Sequence, residues 1–159
     1  MPLQVNIRHL EDKEVRLRGE LPAAELDLEN NDELVRARLP VRYDLTVQRL
    51  GDAILVQGRI EVTLDCECAR CLKAFQHRIE MPDWAAHLPL EGPEKVDIKD
   101  DLADLTPCLR EDILLEYPQH PLCEAGCAGL PNRAKKHETK GASQTEGSSA
   151  WSELNKLKF

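Results

Sequence analysis

Aromatic side chains are scarce in this sequence: two Phe, two Trp and two Tyr make up 4% of 159 residues. Any core must therefore rest on Leu, Val, Ile and Ala. No apolar run approaches the roughly 20 residues that span a bilayer. The opening stretch, MPLQVNIRHLEDKEVRLRG, alternates charged and apolar side chains and lacks the hydrophobic block of a signal peptide. Cytosolic residence is the expectation. Also missing are a glycine-rich phosphate loop, a nucleophile elbow and an H-E-x-x-H helix. Asp97, Asp100, Asp101, Asp104, Glu111 and Asp112 form a charge run that reads as a solvated face. The sequence is that of a non-catalytic protein.

Positive charge is in short supply too, with a formal net charge of −8. Proteins bind nucleic acid largely by neutralising phosphates with Lys and Arg, so an acidic surface disfavours broad contact with it. The balance is uneven along the chain. Residues 131–159 hold six basic and three acidic side chains, a net of +3, which leaves −11 to residues 1–130. The acidic body suits a basic partner surface, and if RNA touches the protein directly, the tail is the better candidate.

What is present is a period of two. Val5 and Ile7, then Val15 and Leu17, alternate with polar neighbours. The run from Leu34 to Val47 does the same, with Pro40 marking an edge or a bulge. Leu50-Gly51-Asp52 predicts a hairpin turn, followed by alternation through Ile60, Val62 and Leu64. Ala74 to Met81 predicts a further strand with Phe75, His77, Ile79 and Met81 on one face. Residues 90–101 read as an acidic loop around Gly92-Pro93. The period then changes: Leu102, Leu105, Leu109 and Ile113 recur at helical steps, predicting a helix over about 104–117, with Pro107 near its start. The class is α+β: an antiparallel β-rich barrel or sandwich, one main helix, a cysteine cluster and a disordered C-terminal tail. Residues 1–130 form the domain and 131–150 a polar linker. Residues 151–159 form a short amphipathic segment whose Trp151, Leu154, Leu157 and Phe159 are candidates for docking a partner.

Six cysteines in a reducing compartment point away from disulfides and toward metal ligation, reactive thiols or packing. Cys68 and Cys71 have C-x2-C spacing, which lets two thiolates grip one tetrahedral ion from a turn. Cys123 and Cys127 form a C-x3-C pair between Pro121 and Gly129, with Gly126 inside it. Brought together, the pairs offer four sulfurs, enough for a structural Zn2+ site. If they stay apart, they are reduced thiols that bind nothing. Cys66 and Cys108 read as packed residues, and His120 as a residue that such a site does not need.

The order of motifs resembles that of a known family. Cys68-Ala69-Arg70-Cys71-Leu72 at a strand end is similar to the C-x-R-C-L signature of YceD-like proteins, the large ribosomal RNA subunit accumulation proteins. Arg110 through Pro118 resembles their R-E-x-I-x-L-x-x-P segment, and Pro121 through Leu130 their P-x-C-x3-C-x-G-L motif. Trp151 to Leu157 is similar to their terminal W-x2-L-x2-L. Where many relatives carry two more cysteines, this chain has Pro131 and Ala134, so its second hairpin is not a complete four-cysteine unit. The resemblance implies a β-rich fold with converging cysteine motifs. It also implies a role in accumulation or processing of the large-subunit (23S) rRNA precursor, with a ribosomal precursor, a basic ribosomal protein or an rRNA-processing enzyme as partner. A zinc- or redox-responsive regulator of translation is the alternative.

Overall fold

A computed structural model describes residues 2–29 and 32–131. Within them the chain forms β1 (Gln4–Asn6), a 3₁₀ turn (Ile7–Leu10), β2 (Val15–Leu21), β3 (Val35–Arg36) and β4 (Val41–Leu50). There follow β5 (Ala53–Glu67), β6 (Ala74–Pro89), β7 (Ile98–Lys99), β8 (Leu102–Asp104) and α1 (Thr106–Leu115). The strands build two antiparallel sheets. The larger runs β2-β4-β5, with β6 on the far side of β5 and β3 covering the end of β5 beyond β4. The smaller is β1-β8-β7. Among the described residues β2 and β6 each have a neighbour on one side alone, so the larger sheet curls into a half-barrel and does not close.

Turn chemistry sets the registers. Leu50 pairs with Ala53 across Gly51-Asp52, with Gly51 at φ +63°, a conformation that glycine adopts without a Cβ penalty. β7 and β8 are joined by Asp100 and Asp101, both left-handed at φ 50° and 64°; aspartate tolerates that region better than most residues. Pro40 falls between β3 and β4, where the expected single run breaks in two.

β6 is twice as long as the period-2 signal suggested. Gly58 pairs with Trp84 but Ile60 with Met81, so Pro82 and Asp83 together face the single residue Arg59. This bulge carries the strand past a proline that would otherwise stop it. It also moves the inward set from Phe75, His77, Ile79 and Met81 to Trp84, Ala86 and Leu88. Opposite the bulge, Gly58 sits at φ +153°. A β-carbon there would collide with the Asp44 carbonyl oxygen and come within 2.8 Å of Leu45 Cα. The crease between β4 and β5 thus requires glycine.

One core fills the concave side. Leu45, Ile54, Ile60 and Leu64 from the sheet are buried together with Leu26 and Leu28 from the β2–β3 connection and Leu105, Leu109 and Ile113 from the α1 region. The helix is shorter than its periodicity predicted. Leu102 and Asp104 belong to β8, because an edge beside β1 takes the backbone hydrogen bonds that another helical turn would have used. Trp84 Nε1 donates to Asp112 Oδ2 at 2.7 Å and ties β6 to α1. No helix among the described residues is long and apolar enough to cross a membrane. The linker over 131–150, apart from Pro131, and the segment 151–159 lie outside the described residues, as do Trp151, Leu154, Leu157 and Phe159.

Candidate metal centre

The first cysteine pair is the turn that joins the two longest strands. After Glu67 pairs with Ala74, the Cys68 N–H donates to the Lys73 carbonyl and the Leu72 N–H returns to the Cys68 carbonyl, each at 2.9 Å. Leu72 takes the left-handed conformation, φ 60°, that closes this tight loop. Cys68 and Cys71 therefore project from the tip of the β5–β6 hairpin.

The second pair arrives from α1. Beyond the helix, Tyr117 Oη donates to the Leu28 carbonyl at 3.3 Å and anchors the departing chain to the body. The Ala69 N–H then donates to the Pro121 carbonyl at 2.7 Å, joining the two cysteine segments through backbone. A turn closed by the Cys127 N–H on the Glu124 carbonyl, 3.2 Å, presents Cys123 and Cys127. Arg70 Nη1 donates to the Cys127 carbonyl at 3.1 Å. Gly129, at φ +84°, lies against the Arg70 backbone, whose oxygen is 3.7 Å from where a Cβ would stand. Arg70 thus acts as a clasp between the hairpins, a part that the C-x-R-C pattern contained but spacing alone did not explain.

The four sulfurs meet. Cys68 Sγ is 3.7 Å from Cys127 Sγ, Cys71 Sγ is 3.6 Å from Cys123 Sγ, and all four lie within 4.8 Å of one another. A tetrahedral ion with sulfur ligands at ~2.3 Å has ligand–ligand edges of about 3.8 Å. The donor set fits such an ion in number, type and size. Cys68 and Cys127 are buried, while Cys71 and Cys123 are half-buried. The thiols differ in acidity. Backbone hydrogen bonding, chiefly with Cys71, holds Cys68 down to about 6. Loss of solvent, with hydrogen bonds among the thiols, pushes Cys123 up to about 12. Cys127 is raised as well: hydrogen bonding with the Gly129 backbone pulls it down, but burial and the thiols of Cys71 and Cys68 outweigh that.

The remaining cysteines stand apart from this cluster. Cys66 is buried in the core, its thiol pushed up by burial and by Asp65. Cys108 is half-buried on α1 and pushed up to about 11 by burial and by Asp112 and Glu111. His120 is exposed and lies outside the four-sulfur group.

Comparison with known proteins gives a context for this centre. A family model described as large ribosomal RNA subunit accumulation protein YceD matches residues 56–158, a span holding both cysteine pairs. The uncharacterized protein Rv2926c of Mycobacterium tuberculosis is 30% identical over 95 residues, covering 55% of this chain and 46% of that protein. The uncharacterized protein ML1660 of Mycobacterium leprae is 26% identical over 99 residues, covering 57% and 46%. The chain thus spans about half the length of the curated relatives it matches. No solved structure matches it significantly.

Proposed function

The chain belongs to the YceD family of large ribosomal RNA subunit accumulation proteins, and from that premise we propose that it is a non-catalytic assembly factor for the large ribosomal subunit. The observation that carries this reading is the family match over residues 56–158, which takes in most of β5, all of β6, the helix and both cysteine hairpins. Its working site is a binding surface, and the cysteine centre is structural. A groove of about 550 Å³ on the outer face is lined by Arg18, Arg42 and Arg59 beside Glu20, Asp44 and Glu61, side chains already engaged in ion pairs. That lining offers no activated nucleophile.

The metal is zinc, held by Cys68, Cys71, Cys123 and Cys127. Four thiolates in a tetrahedron suit Zn2+, which needs no redox partner and serves as a cross-link. The ion would fix residues 118–131 to the sheet edge, a stretch with no helix or strand of its own. Reduced thiols of this kind belong in a reducing compartment, consistent with a cytosolic protein. The acidic body faces a basic ribosomal protein or rRNA-processing enzyme on the precursor particle.

The test is affinity capture of the tagged protein from cells at low and high salt. Large-subunit components should be recovered at low salt, and their absence there would remove the assembly reading. Elemental analysis should give one zinc per chain, falling to near zero in Cys71→Ser and Cys127→Ser. The cross-hairpin sulfur contacts of 3.6 and 3.7 Å also favour a second reading, a redox-responsive regulator of translation. It requires zinc loss and local unfolding under mild oxidation. Unchanged metal content and ribosome association after oxidation would eliminate it.

A further inference from the structure

Eleven arginines lie within the described residues, and eight of them face a carboxylate within 4.0 Å. Most line the outer face of the half-barrel, where Arg16 grips Asp44, Arg42 pairs with Glu20, and Arg78 bridges Glu61 and Glu80. The other three are Arg36 and Arg38, in and just after β3 alongside the end of β5, and Arg70, in the turn that follows β5. Arg36 lies across from Asp65 in the strand register, but that carboxylate accepts from Gln76 Nε2 at 3.1 Å. Arg38 lines the same groove, about 450 Å³, with Arg36, Gln76 and the half-buried Phe75. Arg70 gives one N–H to the Cys127 carbonyl and is otherwise exposed. Lys73, in the same turn, also has no carboxylate partner among the described residues.

Arginine in an acidic chain normally finds a carboxylate, as the other eight do. Arg36 and Arg38, which share one groove without such a partner among the described residues, mark a place for an anion from outside. We propose that the cysteine end is an RNA-contacting pole, where Arg36, Arg38 and Arg70 hold phosphates of an rRNA strand beside Phe75. This deepens the ribosomal reading and rests on it. A guanidinium fork matches phosphate geometry and keeps its charge at any physiological pH. Phe75 and the Gln76 amide add an apolar face and a polar contact of the kind that unpaired bases use. Glu33, Asp65 and Glu67 share the groove, which restricts the contact to a few phosphates and rules out a long polyanion track. Gly129 rests on the Arg70 backbone and holds the second hairpin against this turn.

Fluorescence anisotropy of the full, zinc-loaded chain with a short fluorescein-labelled polyuridylate RNA, across a salt series, tests this. Replacing Arg36→Gln and Arg38→Gln together should weaken binding about tenfold at low salt. It should also flatten the log–log salt slope by about 1.4, the release expected from two lost single-strand phosphate contacts. Arg18→Gln with Arg42→Gln changes the net charge equally on the paired face and should leave binding nearly unchanged. Equal weakening by both pairs would reduce the effect to bulk charge and overturn the proposal, as would no effect of Arg36 and Arg38. Poly-L-glutamate binding with the same dependence on Arg36 and Arg38 would make the pole a site for acidic polypeptide and overturn it too. Thermal midpoint and zinc content verify folding; if the double variant fails these, Arg38→Gln alone, outside any strand, should still weaken binding. Co-sedimentation with large-subunit precursors separates the two ideas. Wild-type protein that co-sediments but ignores the RNA defeats the pole and spares the assembly reading. Wild-type protein that does neither defeats both.

Discussion

Two glycines show how differently one residue type is used. Gly51 has open space around it, so Gly51→Ala meets only its left-handed backbone, at about 1–2 kcal/mol. Gly58 combines a glycine-only conformation with the β4 backbone pressed against it. Gly58→Ala should cost at least about 1–3 kcal/mol from the backbone alone, and more from the collision. Urea midpoints of the two variants should rank accordingly. Tyr117 supplies a pH signature. Burial first, then the charges of Cys66 and Asp32, pushes its phenol up to about 12. The folded state therefore binds this proton more tightly than the unfolded chain, whose phenol titrates near ~10. The resulting stability is complete below about pH 10 and is lost as the pH rises toward 12. Tyr117→Phe should cost about 0.5–1.5 kcal/mol at neutral pH through the lost bond to Leu28. Between about pH 9 and about pH 11 the wild type should lose stability relative to this variant. A constant gap in urea midpoints would mean that the phenol does not titrate with folding. None of this was readable from the sequence, because neither the approach of β4 to Gly58 nor the burial of Tyr117 leaves a local pattern.

At the level of elements the sequence was informative wherever one face meets the core. Leu45 and Val47, and Ile60, Val62 and Leu64, announced their strands by alternation, and Leu105, Leu109 and Ile113 their helix. The misreadings came where a neighbour settles the outcome. Alternation predicts a strand only as far as Met81, but a bulge opposite Arg59 carries it on through Pro82 to Pro89. Leu102 kept helical spacing with Leu105 and Leu109, but β1 recruits it into a sheet. Leu109 is fully buried at the centre of the helix contact. Leu109→Ala should destabilise by about 2–5 kcal/mol, and thermal unfolding will show whether sheet and helix melt together as a single core requires. The centre itself was half legible: each hairpin was visible by its spacing. That sulfurs 52 and 59 positions apart would meet depended on α1 and the bond from Ala69 to Pro121.

Across the whole molecule, charge and attachment divide the labour. The outer sheet face pairs its arginines with carboxylates, while Arg36, Arg38 and Arg70 have no carboxylate partner among the described residues, and the turn holding Arg70 also tethers the last described residues. Chelation should therefore act on a defined region. With the ion removed, proteolysis within residues 118–131 should rise sharply while cleavage within β4 and β5 lags behind. Equal protection of 118–131 with and without metal would show that the backbone and Arg70 contacts suffice. Where the first two ligands sit has a consequence for biosynthesis. Cys68 and Cys71 occupy the connection between β5 and β6, so an ion bound there would favour the zipping of the two longest strands, and that zipping would favour the ion. A metal held at a thousandfold over its Kd adds about 4 kcal/mol to the native state. On the zinc reading, zinc starvation should show as fewer surviving copies, since newly made chains lacking the ion would fall to proteases.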